Sequence, residues 1–167
     1  MSSVWIRLDS KTAIDDLMTA FAGFHDACLR EVSIATETYV DERGAMSCPA
    51  HLDTSTLLFF QSQGAKNRAI ELYCEGISFI RVSPTPEGHD SILSSAAISR
   101  DGTVYRLALS FIGGPLIGPP NSSVEIVPSD PSVSPDIEVR AATMSWRPIQ
   151  GAAGPQRRYR SKSHEGA

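Results

Sequence analysis

Phe21-Ala22-Gly23-Phe24-His25-Asp26-Ala27-Cys28 is the stretch on which the fold turns. Upstream of it, Ile14, Leu17, Met18 and Phe21 fall at i, i+3, i+4 and i+7, the apolar stripe of an amphipathic helix, with Asp15 and Asp16 on the other side. Asp9 or Ser10 supplies a helix N-cap and Gly23 a natural stop. Downstream the period changes to two. Cys28, Val32, Ile34 and Val40 share one parity and Glu31, Ser33 and Glu37 the other, which predicts a long half-buried strand from Cys28 to Val40, turning at Asp41-Glu-Arg-Gly44.

No later segment shows a helical period. Thr56 to Gln61 is a compact apolar run, Ala69 to Glu75 alternates, and Gly76 separates it from Ile77 to Val82. Ile92 to Phe111 reads as a hairpin whose Asp101-Gly102 supplies the positive-φ residues of a type I′ turn. Ser122 to Val127 and Ile137 to Arg147 read as two further strands, separated by the Pro/Ser-rich Pro128 to Pro135. One helix followed by about eight strands cannot build parallel crossover units, each of which needs its own connecting helix. The expected fold is therefore α+β: one N-terminal helix packed on a mainly antiparallel, strongly twisted sheet or partly closed barrel of about eight strands, formed by residues 1–149. Residues 150–167 read as a disordered basic tail.

Bulk composition narrows the function. The 167 residues are enough for one domain with a full core, and 41% apolar with 20% charged residues is the balance of a globular protein. The tract from Leu107 to Ile117 is the most apolar in the chain, and Ser110, Gly113, Gly114 and Pro115 interrupt it, so no membrane span is expected. The N-terminus lacks the pattern of a secretory signal and the three cysteines are an odd number, which together predict the cytoplasm. Arg157, Arg158, Arg160 and Lys162 against Glu165 give the last eleven residues +3, so the net charge of −4 leaves −7 on the body. An acidic body argues against nucleic-acid binding outside the tail, where Tyr159 among the basic residues could stack a base.

Three histidines sit beside carboxylates: His25-Asp26, His51-Leu-Asp53 and His89-Asp90. Were they to converge, they could hold a metal or activate water. Neighbours on a strand point to opposite faces, however, and His89 follows Pro84, Pro86 and Gly88, the composition of a solvated turn. His25-x-x-Cys28 and Cys48-x-x-His51 have the internal spacing of zinc half-sites, set against the bland reading of buried cysteines with surface histidines. No Gly-x-Ser-x-Gly elbow is present, and the prolines of Gly113 to Pro120 remove the N–H groups a phosphate cradle needs. No cofactor is expected. At the junction itself, Phe21 and Phe24 would seal the helix on the sheet, while His25 or Asp26 satisfies backbone groups at the helix end; the competing reading makes Phe24, His25 and Asp26 a contact for a ligand or partner.

The order helix, Gly-Phe-His-Asp-Ala, long strand, Leu-Phe-Phe and Ile-Glu-Leu-Tyr-Cys-Glu-Gly-Ile resembles small uncharacterised bacterial domains with a Phe-His-Asp motif after their first helix, over residues 14 to 112. Some are grouped with immunity proteins of toxin systems. The resemblance implies a helix-plus-sheet module acting by protein binding, with only Phe24, His25 and Asp26 matching residue by residue. The leading expectation is thus a non-enzymatic, immunity-like binding module for a partner protein. The alternative is a small metal-assisted hydrolase or ligand-binding barrel using His25, Asp26, His51 and His89.

Overall fold

A computed structural model describes residues 4–85, 90–111, 135–152 and 154–155 of the chain. It begins with a two-residue strand, β1 (Ile6–Arg7), followed by helix α1 (Lys11–Ala20). Ser10 caps α1 by accepting a hydrogen bond from the Ala13 N–H at 3.1 Å. Leu17 is fully buried, with Ala13, Ile14 and Met18 packed beside it against the core, as the helical stripe demands.

The strands are β2 (Ala27–Ala35), β3 (Tyr39–Val40), β4 (Met46–Ser47), β5 (Ser55–Ser62), β6 (Ala69–Val82), β7 (Leu93–Asp101), β8 (Val104–Phe111) and β9 (Ile137–Pro148). Seven of them form one sheet in the order β1-β9-β6-β5-β2-β7-β8, and β8 returns to pair with β9. Six strands thereby complete a ring. All pairings among the described residues are antiparallel, and the α+β expectation of a helix on a partly closed barrel holds. The ring is thinnest between β2 and β7, which meet only at Ala27 and Leu93. β9 serves two neighbours along one edge, β8 from Ile137 to Ala141 and β1 at Ser145 and Trp146. The interior holds Leu58, Phe60, Leu72, Leu107, Leu109, Val139 and Met144, with Phe21 and Phe24 joining them from the junction.

Several expectations need correction. The predicted strand Cys28 to Val40 ends at Ala35, and its parity changes midway. Leu29 faces Phe60 and Glu31 faces Phe59, so Arg30 is an extra residue, a β-bulge. The bulge leaves Ala27, Leu29 and Val32 as the core-facing set and puts Cys28 on the other face, opposite Gln61. The two strands expected on either side of Gly76 are one strand, β6, bent at this glycine, whose φ is +63°. A Cβ at Gly76 would stand 2.9 Å from the Ala142 Cβ, so the close approach of β6 and β9 also requires glycine. The hairpin tip lies one residue later than expected. Asp101 pairs with Val104, which leaves Gly102 and Thr103 as the tip, and only Gly102 takes positive φ. The strand count rises to nine among the described residues because β1, β3 and β4 are too short to show alternation. The readings of Ser122 to Val127, Gly113 to Pro120 and His89 fall outside the described residues.

The start of the expected tail is described and lies on the barrel wall: the Gln61 amide donates to the Ala152 and Gly154 carbonyls, and Arg30 donates to the Pro155 carbonyl at 3.4 Å. The basic segment 156–167 lies outside the described residues. No helix among those described is long and apolar enough to cross a membrane.

Candidate functional site

The helix-to-sheet junction is built from left-handed backbone. Ala22, Gly23, Phe24 and Asp26 have φ of 51°, 63°, 65° and 56°, three of them without the freedom of glycine. Such conformations cost about 1–2 kcal/mol each in an L-residue and persist only where packing imposes them. Here the packing is aromatic: the Phe24 ring lies 4.9 Å from Phe21 and 5.1 Å from Phe60, both edge-on, and all three are fully buried. Phe24 therefore belongs to the core and presents no surface to a ligand.

His25 and Asp26 do reach solvent, each about half exposed, with Nδ1 3.1 Å from Oδ2. Neighbours on a strand would diverge; the positive φ of Asp26 folds these two together. The Asp26 backbone also braces the barrel, its N–H donating to Leu93 and its carbonyl accepting from Gln63, both at 3.2 Å. Beside it opens a cavity of about 250 Å³ lined by Asp26, Cys28, Gln61, Ser62, Arg68 and Ile92. Burial is the main influence on the Cys28 thiol and raises its pKa, against smaller lowering by the Arg30 charge and a Gln61 backbone hydrogen bond. Deeper burial pushes Cys74 up to about 12. A nucleophilic cysteine needs the opposite shift, so neither thiol is activated.

His51 lies elsewhere, on a projecting arm. Cys28 and Ala35 stand at opposite ends of β2, roughly 23 Å apart at about 3.3 Å per residue, and the chain carrying Cys48 and His51 begins beyond Ala35. Among the described residues no three His, Cys, Asp or Glu side chains come together as a metal-holding group, so the set His25, Cys28, Cys48 and His51 is not assembled. His51 Nε2 instead lies 3.4 Å from a Glu37 carboxylate oxygen, both exposed.

The arm, residues 36–53, is the feature that sequence reading missed. β3 and β4 pair only with each other, joined by a turn in which Asp41 Oδ1 accepts the N–H groups of Arg43 and Ala45 at 2.9 and 2.8 Å. At its root, Asp53 Oδ2 accepts from the Thr38 hydroxyl at 2.7 Å and the Thr38 N–H at 3.2 Å. The Thr38 hydroxyl is the chief cause of the lowered Asp53 pKa. Every residue from Ser33 to Met46 is exposed. Tyr39, Val40, Met46 and Leu52 of the arm and Ile34 at the end of β2 are between 54% and 68% exposed, a concentration of large apolar side chains in one region of the chain. Around them stand Glu37, Asp41, Glu42 and Asp53 against Arg43, four negative charges and one positive, a net −3. The signal available in the sequence is the clustering of Asp41, Gly44 and Pro49 around Tyr39-Val40 and Met46, which marks a small separate hairpin rather than the end of β2. Comparison with protein-family models, curated proteins and solved structures finds no match to this chain.

Proposed function

We propose that this chain is a protein-binding module that works without catalysis and docks its partner through the apolar, acid-rimmed arm of residues 36–53 and the adjoining Ile34. The observation that carries this reading is the set of four exposed apolar side chains on the arm, Tyr39, Val40, Met46 and Leu52, with Ile34 exposed at the end of β2 beside its root. Apolar residues grouped on a surface and rimmed by charge are the composition of an interaction site, and Tyr is among the residue types enriched there. The −3 rim favours a partner with a basic border around its own apolar groove. This agrees with the immunity-like resemblance of the Phe-His-Asp pattern, and the three free cysteines support a reducing, cytoplasmic setting.

The test compares the wild-type chain with a Tyr39→Ser/Met46→Ser/Leu52→Ser variant. A protein captured by the wild type is purified and titrated against both by calorimetry. The variant is expected to bind at least about 30-fold more weakly, as loss of about 2 kcal/mol at a hot spot implies. A partner that binds the variant with unchanged affinity sinks the reading.

The cavity beside Asp26 and Cys28 favours a second reading, a barrel that binds a small polar ligand there, drawn from the same alternative that placed His25 and Asp26 in a site. Its test is a thermal-shift screen with small cationic and zwitterionic metabolites. Stabilisation of the wild type that is lost in Asp26→Ala supports it, and no hit above the variant's background discards it.

A further inference from the structure

A second surface lies on the outer wall of the barrel, where β6, β9 and β8 run side by side. Glu138 of β9 is only 6% exposed, yet three arginines from three strands converge on it. Arg106 of β8 donates from Nε to Oε1 at 2.8 Å, and Arg140 of β9 donates to the same oxygen from Nε and Nη2, each at 2.9 Å. Arg81 of β6 brings Nη2 to 3.9 Å from Oε2 and spends that nitrogen on the Pro135 carbonyl at 2.6 Å, while its Nε is buried without a hydrogen-bond partner. One carboxylate against three guanidinium groups leaves a surplus of +2. The nearest further acid in sequence, Asp136, is engaged by the Phe111 N–H at 2.8 Å.

A fold needs only one cation to neutralise a buried carboxylate. Here two arginines hydrogen-bond the carboxylate and a third stands beside it on the Pro135 carbonyl, with 36% to 49% of each arginine side chain still exposed. Exposed Phe79 of β6 and Val104 of β8 share this face, with the Arg140 guanidinium 5.1 Å from the Phe79 ring centre. Arginines gathered around a shared acid, with an aromatic and an aliphatic side chain on the same face, match the composition of protein interface centres. Oriented guanidinium forks recognise carboxylates in bidentate fashion.

We propose that the outer face formed by Arg81, Arg106 and Arg140 is a docking site for an acidic segment of a partner protein, its carboxylates on the arginines and its apolar side chains on Phe79 and Val104. The apolar side chains beside the arginines favour a peptide, whose own apolar residues can cover them, over a nucleic acid. This surface is independent of the arm and stands whether or not the arm binds.

The experiment is selection from a random-peptide display library on the intact chain, followed by fluorescence anisotropy with the selected peptides. Sequences rich in Asp and Glu with interspersed apolar residues are expected, binding more weakly as salt rises. Two variants locate them. Arg106→Gln removes one fork, and Val104→Glu adds a like charge at the rim while leaving every hydrogen bond to Glu138 in place, which guards against loss of fold. Each should weaken binding about tenfold or more, and Tyr39→Ser/Met46→Ser should change nothing. Selected peptides without an acidic bias overturn the proposal, as does equal binding by Val104→Glu. Tighter binding by a single-stranded oligonucleotide, lost in Arg106→Gln, would reassign the face to nucleic acid.

Discussion

Leu58, Phe59 and Phe60 of β5 and Tyr39, Val40 and Met46 of the arm are comparably apolar, yet the first three are buried and the second three are more than half exposed. The difference lies in their neighbours. β5 has β2 on one side and β6 on the other, and Leu58 and Phe60 face the enclosed core. β3 and β4 have only each other. A lone two-stranded hairpin has no third strand or helix on which to bury a face, and in isolation it is marginally stable. The arm keeps its place through polar ties, Thr38 to Asp53 at its root and Asp41 within the turn that joins its strands. Apolar residues that contribute little to holding the element together point to a role outside folding.

That contrast makes truncation in the wall severe. Phe60→Ala removes the ring that Phe21 and Phe24 pack against, and with it the packing that imposes the left-handed turn at the junction. A loss of about 3–5 kcal/mol is expected from the cavity alone, measured by urea unfolding. A loss below about 1 kcal/mol would mean that the junction is not anchored on β5.

The next effect is smaller and depends on pH. The Arg106 hydrogen bond, helped by Arg140, holds Glu138 below its ordinary value of 4.5. A depressed carboxylate contributes stability above the unfolded-state pKa, and that contribution fades as pH falls through the lower folded-state value. Wild-type stability should therefore drop below pH 4.5, and Glu138→Gln should flatten that drop. At neutral pH the substitution should cost about 1–2 kcal/mol, since the arginines are partly exposed and solvent screens them. Parallel pH curves for the two proteins would show that the array does not hold the ionised form.

At the junction the sign reverses. Ala22 is exposed with φ of 51°, a conformation that glycine adopts without strain. Ala22→Gly should stabilise by about 0.5–1 kcal/mol after the greater entropy of the unfolded glycine chain is set against the relief of strain. Destabilisation by the same amount would indicate that the turn opens in solution.

What the sequence made legible divides along similar lines. Helix α1, strand β5 and the β7–β8 hairpin follow from short-range periods and caps, and each stands within a residue or two of its expected limits. The faces of β2 were misread because one bulge residue, Arg30, moves every later side chain to the other face without changing the composition. The arm reads as the end of β2 because Tyr39-Val40 continues the alternation, while the contact that sets it apart, Thr38 with Asp53, spans fifteen residues. The arginine face was invisible for a related reason. Arg81, Arg106 and Arg140 are far apart in the chain, and only the β6–β9–β8 register brings them onto Glu138.

The sharpest form of the contrast lies in the arm, where the effect on stability should be smallest and the effect on binding largest. Tyr39→Ser/Met46→Ser/Leu52→Ser removes large apolar side chains that are already in water, so little burial is lost and unfolding free energy should change by no more than about 0.5 kcal/mol. Core positions behave in the opposite way, since apolar area returned to water there costs roughly 25 cal/mol per Å² and leaves a cavity besides. A variant that unfolds like the wild type but no longer holds its partner separates folding from recognition within one chain. Should the triple variant instead lose more than about 2 kcal/mol, the arm's side chains would have to be packing residues in solution, and the surface assigned to the partner would shrink to the charges of its rim.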